Sequence, residues 1–92
     1  MAHITVQVYT TIGNKLVKGK IQIEVSNIAE ALDSMEKHFG REFRNEVREI
    51  DGSIKTNYIV TLNGYPINRK TPEKVKLADN DVLQIYPAIS GG

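Results

Sequence analysis

Ala78-Asp-Asn-Asp-Val-Leu-Gln-Ile-Tyr-Pro87 holds a turn, a strand and a stop in consecutive order. Asp79, Asn80 and Asp81 carry short polar side chains that bond their own backbone, which is the chemistry of a turn. From Val82 to Tyr86 the residues alternate between two faces, with Leu83 and Ile85 on one and Val82, Gln84 and Tyr86 on the other. Pro87 lacks the N–H that would extend a ladder and so ends the run. A strand this apolar belongs near the middle of a sheet, and its neighbours lie further back in the chain. His3 to Tyr9 alternates with Ile4, Val6 and Val8 on one face, and it shares the central place. Lys18 to Val25 alternates again, with Ile21, Ile23 and Val25 aligned. Gly13-Asn14-Lys15 supplies the turn of an antiparallel hairpin between these two runs. Tyr58 to Asn63 is strand-forming and ends on the tight-turn pair Asn63-Gly64. Pro66 and Thr71-Pro72 place the next segment in loop or edge-strand conformation.

Between the hairpin and Tyr58 the period changes from two to that of a helix. Ser26 or Asn27 can cap a helix start, because a short side-chain oxygen accepts an otherwise orphaned backbone N–H. Glu30 falls in the first turn, where the helix dipole favours negative charge, and Lys37 and His38 fall in the last. Ile28, Ala31, Leu32, Met35 and Phe39 form one apolar stripe, and Gly40 closes the helix. Phe43, Val47 and Ile50 recur at helical spacing, as do Arg41, Arg44 and Arg48 on another face. They predict a short second helix ended by Asp51-Gly52-Ser53. The three arginines read as a solvated face paired with Glu42, Glu46 and Glu49, because interleaved charge normally means exposure.

These elements predict an α+β domain, a mixed sheet of four to five strands packed on one main helix, over residues 1–87. Residues 88–92 are expected to form a flexible tail. The 92 residues suffice for one domain. There are no cysteines, which excludes disulfides, thiolate metal sites and a cysteine nucleophile. A formal net charge of +1 gives no electrostatic case for nucleic acid. No apolar run approaches the roughly 20 residues of a membrane-spanning helix. The start of the chain lacks the pattern of a secretory signal, so the expected location is the cytoplasm.

The tail Ala88-Ile-Ser-Gly-Gly92 is short of side chains that could pack. Paired glycines lose the most backbone entropy on ordering and suit a slim segment that enters a narrow channel. Fully extended, these residues reach roughly 17 Å at about 3.3–3.6 Å each. Taken alone, a terminal Gly-Gly more often describes a frayed end. Its setting argues otherwise. Leu77-Ala-Asp-Asn-Asp-Val-Leu-Gln-Ile-Tyr-Pro-Ala-Ile-Ser-Gly-Gly92 resembles the C-terminal signature of the MoaD/ThiS family of ubiquitin-like sulfur-carrier proteins. That signature is a leucine, an acidic turn, a hydrophobic strand, a proline and a terminal Gly-Gly. Asn63-Gly64 is similar to the family's turn after the third strand, and the element order matches its ubiquitin-like β-grasp fold. Two positions depart from the pattern. Asn80 replaces the usual glycine of the turn, which asparagine can do because it tolerates the left-handed conformation. Tyr86-Pro87 replaces the common Pro-Pro. The stretch from Gly40 to Tyr58 is longer than in compact members, as in the small subunit of molybdopterin synthase and the archaeal ubiquitin-like modifiers.

The resemblance implies a carrier that supplies no catalytic side chain of its own. An adenylating enzyme of the ubiquitin-activating type would use ATP to activate the Gly92 carboxylate, which is ionised at neutral pH. A sulfur donor would then displace AMP and leave a thiocarboxylate. Gly91 would be needed for passage of the tail, and Tyr86, Val82 and Ile89 would contact partners. The sulfur acceptor would be the large subunit of molybdopterin synthase or another enzyme. The same terminus would equally serve a protein modifier or a carrier for tRNA thiolation. A β-grasp interaction domain indifferent to its tail is the remaining reading. No cofactor is expected to bind tightly.

Other candidate chemistry is weaker. Gly64-Tyr-Pro-Ile-Asn-Arg-Lys-Thr71 has the outline of a phosphate-binding loop, but Arg69 stands where the second glycine is required and Pro66 interrupts it. Asp79 and Asp81 are too few for calcium, which takes six to eight oxygens, and read as turn residues. His3 and His38 lack metal-ligand spacing. Strand alternation puts Val82 and Tyr86, with Ile59 alongside, on the sheet face opposite Leu83 and Ile85. It does not say which of the two faces the helix covers.

Overall fold

The computed structural model describes residues 1–12 and 15–88. Gly13, Asn14, Ile89, Ser90, Gly91 and Gly92 lie outside the described residues, and with them the expected hairpin turn and the expected roles of Ile89, Gly91 and Gly92. The alternating runs form β1 (Ala2–Ile12) and β2 (Lys15–Val25), longer than the alternation alone marks. Helix α1 (Ile28–Phe39) follows, then α2 (Arg41–Val47), β3 (Tyr58–Leu62), β4 (Tyr65–Pro66), a single 3-10 turn at Pro72–Lys74, and β5 (Val82–Pro87).

The strands join one mixed sheet in the order β2-β1-β5-β3-β4. Strands β1 and β5 are adjacent inside the sheet, and they run parallel, with Val6 opposite Leu83 and Val8 opposite Ile85. The other pairings are antiparallel. Both helices lie on one face. There Ile4, Val6 and Val8 meet Leu83 and Ile85 from the sheet, Ile28, Leu32 and Met35 from α1, and Phe43 and Val47 from α2, all buried. This is the ubiquitin-like β-grasp arrangement.

Local chemistry fixes the ends of the elements. Asn27 caps α1 by accepting the Glu30 N–H at 2.8 Å, and the Glu30 carboxylate reaches back to the Ser26 N–H at 2.7 Å. Gly40 ends the helix at φ 97°, where a side chain would be strained. Asn63 and Gly64 both take positive φ, 53° and 89°, as a tight turn with the right-handed twist of a hairpin requires. Asn80 sits at φ 71°, in the left-handed conformation that asparagine tolerates.

Two expectations are corrected. Ile50 is fully exposed and takes no part in a helical stripe. Helix α2 stops at Val47 because Arg48 turns to extended backbone and bridges Ile54, which is buried in the place expected of Ile50. Nor is Arg48 part of a solvated face paired with Glu42, Glu46 and Glu49. It is buried, with Nη1 donating to Asp33 and Glu36 at 2.9 Å each, and Nε to the Gly52 carbonyl at 2.9 Å. Glu36 also holds Arg44 at 3.3 Å. Arg44 of α2 and Arg48 just beyond its end thus tie α2 to α1.

Candidate functional site

Because both helices pack on the Leu83 and Ile85 side, the opposite face of the sheet is open among the described residues. Strand β5 places Val82, Gln84 and Tyr86 on it, and the β3 register puts Ile59 opposite Tyr86 and Thr61 opposite Gln84. Strand β1 adds Thr5 and Gln7, opposite Val82 and Gln84. The two readings left open by alternation are therefore separated. Val82, Tyr86 and Ile59 lie together on the face turned away from the helices, while Leu83 and Ile85 are core.

The centre of this face is held by a polar ladder across three strands. The Thr61 hydroxyl donates to the Gln84 side-chain oxygen at 3.1 Å, and the Gln84 amide donates to Gln7 at 2.9 Å. Satisfied amides give this region a fixed shape without a charge to desolvate. Beside the ladder lies a shallow groove of about 500 Å³, lined by Tyr9, Lys18, Lys20, Gln84 and Tyr86 among others. Tyr9 and Tyr86 are 46% and 36% exposed, large for aromatic side chains without a visible covering. No acidic side chain lines the groove among the described residues, so its charge is positive.

The same end of the sheet is where the chain departs toward its last residues. Pro87 is opposite Tyr58, and the Ala88 N–H donates to the Asn57 carbonyl at 2.7 Å. Beneath, on the helix side, the buried Tyr58 hydroxyl bonds the Thr10 hydroxyl and donates to the Glu46 carboxylate at 3.1 Å. Burial pushes the Tyr58 phenol above its ordinary value, and the Glu46 charge adds to this, while the Thr10 hydrogen bond pulls the other way. This cluster fastens β1 and β3 to α2 just below the last described residues. Thr10 continues the even-numbered core positions of β1, so its burial is legible in the alternation. Its hydroxyl partner is not.

Asp79 and Asp81 are turn residues. Asp79 accepts the His3 N–H at 2.8 Å, and Asp81 accepts from Ala78 at 2.8 Å and from the Asn63 amide at 3.0 Å. His3 lies by Glu24 and Gln22, and His38 packs edge-on against Phe39. No group of three or more metal-ligating side chains occurs among the described residues. No helix among them is long and apolar enough to cross a membrane.

No protein-family model matches the chain, and no curated protein matches it. Solved structures do. The chain is similar to the small archaeal modifier protein SAMP1 from Haloferax volcanii, with a TM-score of 0.72 and 18% identity over 99% of this chain and 100% of that one. It is similar to a chain of the Amycolatopsis orientalis BexX/CysO complex, at TM-score 0.73 and 18% identity over 97% and 99%. It is also similar to Urm1 from Trypanosoma brucei, at TM-score 0.67 and 17% identity over 98% and 95%. At such identities the likeness is one of fold, and over nearly the whole length of each the fold of this chain is the ubiquitin-like β-grasp that these proteins share.

Proposed function

We propose that this chain is a sulfur carrier that works through the α-carboxylate of Gly92. The observation that carries the reading is the run of β5 from the centre of a β-grasp sheet, past the exposed Tyr86, into a tail ending in Gly91-Gly92. A carboxylate is a poor acyl donor until its oxygen is given a good leaving group. The Gly92 oxygen attacks the α-phosphorus of ATP held by an adenylating enzyme, and pyrophosphate leaves. Hydrosulfide supplied by the sulfur donor then adds to the acyl carbon, AMP departs and a proton is lost, leaving a thiocarboxylate. The chain is co-substrate in this sequence and contributes no acid or base. Gly91 and Gly92 keep the tail slim enough for a partner's channel, and Val82, Tyr86 and Ile89 form the contact surface. Delivery to a molybdopterin precursor on a synthase large subunit is the preferred destination.

A second reading is conjugation of Gly92 to lysines of other proteins. The likeness to a structure named as a small archaeal modifier protein favours it specifically. It shares the adenylation step and differs in the nucleophile.

The test is a mass measurement. With ATP, an adenylating enzyme and a sulfur donor, the chain should gain the mass of sulfur replacing oxygen, mapped to its C-terminal peptide. One residue added after Gly92, or Gly92→Val, should abolish the gain, since a β-branched side chain fills a narrow channel. Ser90→Ala should leave it intact. A C-terminally extended chain that is modified as well as the native one, without trimming, overturns the proposal.

A further inference from the structure

Strand β2 is an edge of the sheet, and no described element covers its open side. Its exposed backbone groups can be assigned. In β1, the Thr5 N–H donates to Asp81 and the His3 carbonyl accepts from Asn80, so odd-numbered residues of β1 address the β5 side. Even-numbered residues therefore address β2, and Ile4↔Ile23, Val6↔Ile21 and Val8↔Gly19 are the hydrogen-bonded pairs. In consequence Leu16, Lys18, Lys20, Gln22 and Glu24 turn their N–H and C=O groups outward to the free edge.

Proteins usually blunt such an edge with a bulge, a proline, a covering element, lysines along the edge or a charge pointing toward the core side. Here the register runs without a bulge from Ala2↔Val25 to Ile12↔Lys15, and β2 contains no proline. Lys18, Lys20 and Glu24 stand on the outer face, and Lys15, opposite Ile12 at the start of the strand, is the one charge on the helix side, so a strand that pairs here has to answer Lys18 and Lys20 with acidic or neutral groups. Val17, Gly19, Ile21, Ile23 and Val25, on the helix side, are uncharged, and Ile21 and Ile23 are only partly buried.

We propose that this edge pairs antiparallel with β2 of a second copy of the chain, in the register that places Lys18 opposite Glu24 of that copy. Hydrogen-bonded pairing of outward residues demands that even-numbered residues face even-numbered ones. Within that rule the charges and the length of overlap choose. Centring the two-fold axis on Lys20 sets Lys20 against itself and Leu16 against Glu24, and centring it on Gln22 pairs Lys20 with Glu24 but sets Lys18 against Ser26 and shortens the overlap to 19–25. Shifting the axis to Ile21 gives two Lys18–Glu24 pairs and two Lys20–Gln22 pairs on the outer face. On the helix side it sets Val17 against Val25, Gly19 against Ile23 and Ile21 against itself, an apolar seam that covers the half-buried isoleucines. The interface is isologous, so every favourable contact away from the axis occurs twice. The surface of Val82 and Tyr86 lies on β5, two strands in from the edge, and stays free for other partners.

Sedimentation of the full chain across a concentration series tests this without ATP or any partner. The native chain should show a reversible monomer–dimer equilibrium. Amide exchange at Lys18, Lys20 and Gln22 should slow as concentration rises. Lys18→Glu and Glu24→Lys should each weaken dimerisation about tenfold or more, by turning two attractive cross-strand pairs into repulsive ones. Mixed in equal amounts, these two variants should associate with each other at about native strength, because every Lys18 and Glu24 position then faces an opposite charge. A native chain that stays monomeric at millimolar concentration overturns the proposal. So does a dimer indifferent to both charge reversals, or a mixture no stronger than either variant alone.

Discussion

Tyr58 shows how one side chain can serve both packing and polar attachment. Its ring fills the core and its hydroxyl is shared between Thr10 on β1 and Glu46 on α2. The folded protein holds the phenol neutral, with its pKa raised above the ordinary 10.0 chiefly by burial. An acid that binds its proton more tightly when folded stabilises the fold fully below its unfolded pKa. That contribution is lost as pH rises from about 10 through the folded value. Tyr58→Phe should cost roughly 1–2 kcal/mol at neutral pH by removing the shared hydrogen bonds. It should also remove this residue's share of the alkaline decline. Urea denaturation of both proteins at pH 7 and pH 11 checks it, and a difference between them that does not shrink at pH 11 refutes the linkage.

At the scale of elements, the join between the two helices rests on Arg48. Its guanidinium bonds Asp33 and Glu36 of α1 and the Gly52 carbonyl, so it fixes both where α2 lies and where the following turn closes. Arg48→Ala should destabilise by roughly 1.5–3 kcal/mol, the range for hydrogen bonds to charged groups, with Glu36 left to Arg44 alone. Thermal unfolding measures it, and a change under about half a kcal/mol, usual for a surface site, would mean the network is ornamental. Local signals make most elements readable from the sequence. The strand alternation, the Asn27 cap with Glu30, Gly40 and the Asn63-Gly64 turn are all written in short-range chemistry. Arg48 and Ile50 escape such reading because both depend on where α2 ends. That end is set by a bridge to Ile54, a partner no helical period can reveal. For the same reason the facing of Val82 and Tyr86 is readable only relative to Leu83 and Ile85. Which side the helices cover is a tertiary fact.

Over the whole molecule, the helices occupy one side of the sheet and leave the other as a broad surface with aromatic, amide and lysine side chains. The role in recognition that we propose for it is testable apart from the chemistry of the tail. Tyr86→Glu should leave the far-ultraviolet circular dichroism unchanged, since Tyr86 points away from the core. It should weaken binding to an adenylating enzyme at least tenfold, because aromatic anchors carry much of the energy of such interfaces. Titration calorimetry decides it, and unaltered affinity would move the contact surface elsewhere.

The parallel pairing of β1 with β5 has a consequence for how the chain comes into being. Contacts such as Gln84 to Gln7 join residues 77 positions apart. Loop closure on this scale must precede the central pairing, which makes folding slower than in proteins built from local contacts. On the ribosome the first hairpin can form early, yet β1 has one side unmatched until the last strand emerges. A nascent chain halted before Val82 would display open edges on both β1 and β3, a template for aggregation. The central pairing of this sheet therefore waits for β5, whose arrival closes the open sides of β1 and β3 together.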